Sequence, residues 1–276
     1  MDTEALIQQM TTRLSGVKGV RAIVLGGSRA AGTHTAASDI DIGLYYEGED
    51  SLDVTALQKA AEELDDHPRK GLVTPIGEWG PWVNGGGWLK VQGQAIDWLY
   101  RDAARVDAVL EDGLAGTITI DYYPGHPHGF VNSIYLAEVA LCRVLWDPEG
   151  LIAGWKRKTR EYSAVFQQAT IRKFQWEASF SLLLAAKGVD KGDLSYVAGC
   201  CFRAVSCLNQ VLFALNKRYC MNEKGAVPLA DTFSRKPADY RRRVESIYVL
   251  LSEDAGACRE ALDRLGGLIR ETEALG

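Results

Sequence analysis

The sequence of 276 residues, with 47% apolar and 24% charged residues, is long enough for one large domain or two modest ones that each bury a core. Polar residues interrupt its apolar runs before they reach the length of a membrane span, and its N-terminus lacks the basic and apolar regions of a signal peptide. We therefore expect a cytoplasmic protein without a membrane partner. The six cysteines lack Cys-x-x-Cys spacing and lie in apolar surroundings, which favours buried free thiols over disulfides or a zinc site.

The formal charge of −5 is unevenly distributed. Residues 1–120 contain 10 Lys and Arg against 18 Asp and Glu, whereas residues 121–276 contain 21 against 18. A protein that grips long nucleic acid usually has a basic domain. The charge balance therefore argues against long nucleic acid as a partner and favours a small substrate, with the more basic C-terminal half available to face a nucleoside triphosphate.

The first 100 residues alternate helical and extended patterns. Apolar residues on one face predict a helix over residues 3–15, and Asp53 is placed to cap a second helix that ends near Leu64. Gln92-Gly93 is the predicted turn between the last two strands of this part. Strands are predicted at residues 20–25, 39–45, 72–76, 88–91 and 95–100.

One stretch, residues 25–42, carries the chemistry of this part. Gly26, Gly27 and Ser28 form a turn after an apolar strand, and such a turn at a helix N-terminus lets an anionic phosphate approach the backbone closely. Asp39 and Asp41 open the next strand and share one of its faces, because side chains alternate along a strand. Like charges this close repel one another, and a bound cation relieves the repulsion. Oxygen ligands of this kind favour Mg²⁺.

Two other segments have an unusual composition. Residues 79–88 contain three tryptophans and four glycines, a pattern that fits a loop lining a pocket and a packed lid over the sheet edge equally well. His126 and His128 flank a proline and could bind metal or substrate, although such a turn is more often structural. The sequence has only two further histidines, His34 and His67, which argues against a zinc site.

The pattern becomes helical after residue 130. Helical segments are predicted at residues 131–145, 148–188 with a break near 168–170, 193–219, 237–252 and 253–275. We therefore expect an α+β protein in which an N-terminal mixed β-sheet domain with flanking helices, residues 1–125, is followed by a C-terminal helical bundle, residues 126–276.

The Gly26-Gly27-Ser28 turn followed by Asp39-Ile40-Asp41 resembles the signature of the nucleotidyltransferase superfamily that includes DNA polymerase β. In that family a third acidic residue on a neighbouring strand completes the metal site, and Asp97 lies in the expected apolar-acid-apolar setting. The sequence lacks the lysine of a P-loop and the glycine spacing of a dinucleotide fingerprint, which disfavours those two phosphate sites.

The resemblance implies roles for these residues. Asp39, Asp41 and Asp97 would hold two Mg²⁺ ions, and Asp97 would also serve as the general base. The Gly26-Gly27 backbone and Ser28 would bind the β and γ phosphates of ATP or another nucleoside triphosphate, with Arg29 adding positive charge.

A loop in the predicted bundle, residues 219–228, resembles a segment of antibiotic nucleotidyltransferases of the aminoglycoside type, and this assigns Lys224 to the nucleotide phosphates. The layout looks like enzymes that adenylylate small hydroxyl compounds such as aminoglycosides or lincosamides. Two alternatives stay open at this point: a nucleotidyltransferase that modifies a protein or a tRNA end, as in toxin–antitoxin systems, and a nucleotide-binding sensor without turnover.

Overall fold

The computed structural model describes residues 3–48, 51–67 and 69–276, and the chain divides into two compact units. Unit 1 contains Met1–Glu111 and Tyr135–Glu161, and unit 2 contains Asp112–Ile134 and Tyr162–Gly276. The division is therefore interleaved along the chain, whereas the sequence suggested one boundary after residue 125. In chain order the elements are α1 (Thr3–Ser15), β1 (Ala22–Leu25), α2 (Gly27–Ala30), β2 (Ile40–Tyr46), α3 (Val54–Leu64), β3 (Gly86–Val91), β4 (Gln94–Asp102), α4 (Ala103–Leu114), β5 (Ile120–Tyr123), β6 (His126–Val131), α5 (Ile134–Leu141), β7 (Arg143–Trp146), α6 (Leu151–Thr159), α7 (Ala164–Asp190), α8 (Leu194–Leu215), α9 (Ala226–Ala230), α10 (Tyr240–Leu250) and α11 (Ala255–Ala274).

Unit 1 is built on a five-stranded mixed sheet with the strand order β3-β4-β2-β1-β7. Strands β2 and β4 are parallel, and the other neighbours are antiparallel. Gln92 and Gly93 both have positive φ, +52° and +81°, which is the backbone of a two-residue hairpin turn between β3 and β4. The predicted turn and the helices α1 and α3 are confirmed, and the Asp53 side chain accepts a hydrogen bond from the Ala56 N–H at the start of α3.

Two sequence predictions in unit 1 were wrong. The strand predicted at residues 72–76 is reduced to an isolated bridge between Val73 and Gly87. The helix predicted over residues 131–145 is instead the end of β6, the short helix α5 and then β7. The residues of β7 pair with β1, whose second edge would otherwise lack a partner, so tertiary pairing decides the structure of this short apolar run.

One face of the unit 1 sheet forms the core. Alternate residues of β2, among them Ile40, Ile42 and Leu44, are fully buried on this face together with Ile96 and Trp98 of β4. Helices α1 and α3 contribute their apolar sides to the same cluster. The alternation places the remaining residues of both strands on the opposite face.

Helices α5 and α6 contact one end of the opposite face of the sheet. There the buried side chain of Arg101 on β4 makes a bidentate ion pair with Glu138 of α5, with distances of 2.9 Å and 2.7 Å. Tyr45 of β2 packs against Trp155 of α6 with 5.6 Å between ring centroids. The end that carries Asp39 and Asp97 stays accessible, since Asp39 is exposed and Asp97 is half-buried.

Unit 2 contains the β5–β6 hairpin and the helices from α7 onward, with a core of apolar side chains from α7, α8, α10 and α11. Helix α8 is long and apolar enough to cross a membrane by length and composition, but 72% of its most apolar window is buried inside the unit, as in a core helix. The break in the long helical segment lies at residues 160–163, not near 168–170 as predicted. The Ser163 side chain accepts a hydrogen bond from the Phe166 N–H there and caps α7.

The six cysteines are free thiols, as predicted, and all except the half-buried Cys200 are buried. Burial raises the pKa of several of them, for example that of Cys142 to about 11 and that of Cys201 to about 12. These thiols are therefore protonated at neutral pH and behave as small core side chains.

Candidate active site

Asp41 and Asp97 lie side by side on neighbouring strands. They occupy the same register position of the parallel pair β2–β4, and both point to the face opposite the core. Asp39 directly precedes β2, two residues before Asp41, and its charge contributes to the raised pKa of Asp97. The structure thus places Asp41 beside Asp97, with the exposed Asp39 just before the strand that carries Asp41.

The glycine turn adjoins the same carboxylates. The Gly26 N–H donates a 2.8 Å hydrogen bond to the Asp41 carbonyl, which extends the pairing of β1 with β2 into the turn. Gly27 has a φ of +58°, and a Cβ at this position would lie 1.8 Å from Oδ2 of Asp41. Only glycine fits here, because the backbone needs the left-handed region and the carboxylate occupies the space of a side chain. Ser28 is the next residue of this turn, in the four-residue helix α2.

The Arg29 side chain forms hydrogen bonds with the backbone before β2, which the sequence did not indicate. Its Nε donates to the carbonyl of Asp39 at 3.0 Å, and a terminal nitrogen donates to the carbonyl of Ser38 at 2.7 Å. The same nitrogen approaches the Gln94 side chain at 3.4 Å. Arg29 therefore joins the turn to the start of β2 and positions the backbone that carries Asp39, and its predicted contact with phosphate stays a prediction.

The Asp97 carboxylate feels both its burial and the charges of the other two aspartates. Burial, then the charge of Asp41, then that of Asp39 raise the pKa of Asp97 from 3.8 to about 6. Residues 3–48, 51–67 and 69–276 contain no group of three or more His, Cys, Asp and Glu side chains that is already arranged to hold a metal ion. The donor set nevertheless fits a hard divalent cation, since it consists of carboxylate oxygens whose mutual repulsion a cation would relieve.

The raised pKa of Asp97 predicts an unusual pH dependence of stability in EDTA. The folded-state pKa of Asp97, about 6, lies above the unfolded value of 3.8, so the folded state binds more protons between these values and stability falls as the pH rises through this range. We expect Asp97→Asn to remove this loss, which we put on the order of 1 kcal/mol after discounting for solvent screening.

The measurement is the urea midpoint of wild type and variant across this pH range, followed by tryptophan fluorescence. Six of the seven tryptophans belong to unit 1, so the fluorescence reports mainly on that unit. The difference between the two proteins isolates Asp97 from all other titrating groups. Equal slopes of stability against pH in the two proteins would contradict the expectation.

The tryptophan-glycine loop extends the same face of the sheet. Trp88 of β3 is paired with Asp97 of β4 and is 62% exposed, and the Trp79 ring stacks on it with 4.5 Å between centroids. The glycines serve close packing, because a Cβ at Gly87 would lie 2.6 Å from the Leu72 carbonyl oxygen and one at Gly86 2.9 Å from the Trp79 ring. The loop therefore packs on the sheet edge and also presents an aromatic surface.

The register of Trp88 could have been read from the sequence. A two-residue turn at Gln92-Gly93 pairs Val91 with Gln94, and counting outward from this pair places Trp88 opposite Asp97. The composition of the loop drew attention to the tryptophans, but only the register shows which of them adjoins the carboxylates.

The remaining predicted site residues belong to unit 2. His126 and His128 lie on β6, where the His128 N–H donates to Oε1 of Glu223 at 3.0 Å and the His126 ring lies 3.4 Å from Oε2 of the same residue. Burial, followed by the charge of Arg203, lowers the pKa of His128 to about 4, so its ring is neutral. These contacts give both histidines structural partners. Lys224 follows Glu223 in the loop before α9, and its predicted role stays a prediction.

One family of known proteins is similar in sequence to the part of the chain that contains the glycine turn. Residues 6–77 match the family model of the nucleotidyltransferase domain, a range that includes the glycine turn, Asp39 and Asp41. A nucleotidyltransferase-like protein from Exiguobacterium sibiricum 255-15, whose crystal structure is known, aligns with 98% of this chain and 77% of its own, at 10% identity and a TM-score of 0.46. None of the curated proteins compared with the chain matches it.

Proposed function

We propose that the protein transfers a nucleoside monophosphate from ATP or another nucleoside triphosphate to a hydroxyl group of a small molecule, with release of pyrophosphate. The match of residues 6–77 to the nucleotidyltransferase domain supports nucleotidyl transfer. The acceptor is proposed to be a cationic compound of the aminoglycoside or lincosamide kind, because residues 1–120 carry a net charge of −8. The proposal includes dependence on Mg²⁺ and a location in the cytoplasm.

The observation that carries this proposal is the contact between Gly27 and Asp41 beside Asp97. The turn lets a phosphate approach the backbone, and the pair of carboxylates favours a bound cation. A site needs both features when it binds a phosphate group next to a metal ion. Asp41 and Asp97 on adjacent strands, with the turn directly against Asp41, bring both requirements to one place.

Asp39, Asp41 and Asp97 are the residues that would hold the metal. When bound, the metal would neutralise charge on the triphosphate and on the attacking oxygen. The exposed Asp39 side chain is free to change rotamer, so we infer that it completes the ligand set by moving toward the half-buried pair. Arg29 limits that movement to the side chain, because it fixes the Asp39 carbonyl.

Asp97 is the proposed general base. It lies in register with Asp41 on the neighbouring strand, so its carboxylate can accept the proton of an acceptor hydroxyl that approaches this face of the sheet. The Gly27 N–H and the Ser28 hydroxyl are the proposed donors to the phosphates that leave as pyrophosphate, whereas the Gly26 N–H is bonded to the Asp41 carbonyl.

The experiment that tests the proposal follows pyrophosphate release. The protein is incubated with Mg²⁺, each of the four ribonucleoside triphosphates and a panel of hydroxylated acceptors, and the doubly substituted Asp39→Asn, Asp41→Asn protein serves as the silent control. Pyrophosphate release with a small acceptor, lost on addition of EDTA, is the expected result. Label on a protein or tRNA would favour the macromolecular alternative, and nucleotide binding without pyrophosphate would favour the sensor.

Gly27→Ala is expected to lower transfer about a hundredfold, because the new methyl group must displace the Asp41 carboxylate by an ångström or more. The matched control is Gly32→Ala. Gly32 has a similar φ of +72°, but a Cβ there meets no atom within 4 Å, so this variant suffers the backbone strain alone. The measurement compares kcat/KM and melting temperature of both variants. Equal losses of activity would show that backbone strain, and not the collision with Asp41, explains the effect.

A further inference from the structure

The stacked pair Trp79–Trp88 is an aromatic surface built into the sheet. Trp88 is 62% exposed although it lies within β3, and the Trp79 ring lies against it at an interplanar angle of 24°. Contact between water and a large apolar ring is unfavourable. An exposed tryptophan within a strand therefore indicates a binding surface more than a structural role.

The loop that supplies Trp79 is held firmly. Thr74 N–H donates to the Gly86 carbonyl at 2.8 Å, and Gly86 N–H donates back to the Thr74 hydroxyl at 3.0 Å. Further along, Trp82 is buried, accepts a hydrogen bond at its carbonyl from the Tyr135 hydroxyl and lies under the Arg105 guanidinium. The pair is therefore preorganised, and a ligand that binds to it does not have to order the loop.

The order of the strands separates the tryptophans from the glycine turn. Trp88 is on β3, Asp97 on β4 and Asp41 on β2, and the turn follows β1, so the carboxylates lie between the aromatic pair and the turn. In an in-line displacement at phosphorus, the attacking and leaving oxygens are on opposite sides. If the leaving pyrophosphate occupies the turn, the attacking hydroxyl approaches from the side of Trp88.

We propose that Trp79 and Trp88 form the acceptor subsite and bind hydroxylated organic cations. This inference rests on the proposed transfer reaction and assigns the residues that would bind its cationic acceptor. The faces of indole rings attract cations, and the net charge of −8 on residues 1–120 favours the approach of a cation to this unit. The acceptor's hydroxyl attacks the α-phosphorus of the triphosphate, its proton passes to the Asp97 carboxylate, the bond between the α-phosphorus and the bridging oxygen breaks, and pyrophosphate leaves.

The test observes binding directly and does not need turnover. The full chain is labelled with 5-fluorotryptophan, and its seven tryptophan resonances are assigned by single Trp→Phe variants in ¹⁹F NMR spectra. Kanamycin, lincomycin and choline are the cationic probes, sucrose is the neutral polyol, and a non-hydrolysable ATP analogue with Mg²⁺ is the nucleotide. We expect the cations to shift the resonances of Trp79 and Trp88 and to leave that of Trp176 unchanged.

Trp176 is the matched control for exposure and stacking. It is 65% exposed in unit 2 and stacks on Phe180 with 5.0 Å between centroids. Trp88→Ala is expected to weaken cation binding about tenfold, which corresponds to about 1.4 kcal/mol and is within the range of a cation–π contact. Trp88→Phe should recover part of this loss, and Trp176→Ala should have no effect.

The outcomes separate this inference from the proposed function. Absence of a cation-induced shift at Trp88, an equal shift by sucrose, or a shift by the nucleotide analogue alone overturns the acceptor subsite, whatever the result of the pyrophosphate assay. Absence of pyrophosphate release from the wild-type protein overturns the transfer reaction, whatever the NMR spectra show. In an active protein, Trp88→Ala should raise the KM for the acceptor and leave the KM for the nucleotide unchanged.

Discussion

Asp41→Asn is expected to lower nucleotidyl transfer on the order of a thousandfold or more while leaving the fold intact. The amide has nearly the same shape as the carboxylate, so the contact of this side chain with Gly27 persists. What the variant loses is one of the negative charges that would bind the metal, and with it charge neutralisation in the transition state. Steady-state pyrophosphate release with saturating Mg²⁺ measures the effect.

The matched control is Glu62→Gln. Glu62 is an exposed acidic residue of the same unit, and its side chain accepts a 2.7 Å hydrogen bond from Gln58 that an amide oxygen can still accept. The control thus removes the same charge from unit 1 without touching the site. If Asp41 and Asp97 act as one unit, the double variant Asp41→Asn, Asp97→Asn should be little worse than either single variant. Independent, multiplicative losses would speak against a shared metal.

The part of the site that the sequence predicted depends on short-range patterns. Alternation along β2 places Asp41 on the face opposite the core, and the turn at Gln92-Gly93 brings the strand of Asp97 back along β3. These features follow from the side-chain periodicity of a strand and from the turn residues, and both can be recognised within a few consecutive residues. The parallel pairing of β2 with β4 then aligns Asp41 with Asp97.

The wrong predictions of the fold concern segments whose structure depends on contacts with residues far away in the sequence. β7, with two exposed residues among its four, has no strong pattern of its own and forms because the free edge of β1 accepts it. This pairing draws residues 135–161 back into unit 1 after the β5–β6 hairpin has joined unit 2. No local propensity encodes such a return of the chain.

The roles of individual site residues were also beyond local patterns. Arg29 was expected to add charge near phosphate, which stays a prediction, and the structure adds hydrogen bonds from its guanidinium to the carbonyls of Ser38 and Asp39. Likewise, His126 and His128 take their partner, Glu223, from nearly a hundred residues away. Residue type alone cannot reveal which groups are already engaged by the fold.

Glu138→Ala is expected to destabilise unit 1 by about 3–5 kcal/mol, because it leaves the guanidinium of Arg101 buried without its counter-charge. Arg101 is only 4% exposed, and Glu138 supplies two hydrogen bonds to it. Arginine cannot escape the cost by losing its proton, since its pKa is too high and the pair raises it further. Urea unfolding followed by tryptophan fluorescence measures the loss in unit 1.

Two comparison variants show that the expected loss comes from an unpaired buried charge. Glu63→Ala breaks the exposed ion pair between Glu63 and Arg13 and should cost less than about 1 kcal/mol. The double variant Arg101→Met, Glu138→Leu removes both charges and should be far closer to wild type than Glu138→Ala alone. Because Arg101 lies four residues from Asp97 on β4, the ion pair also fixes α5 over one end of the face that carries the aspartates. A double variant as unstable as the single one would mean that packing of α5, and not the charge, determines the stability.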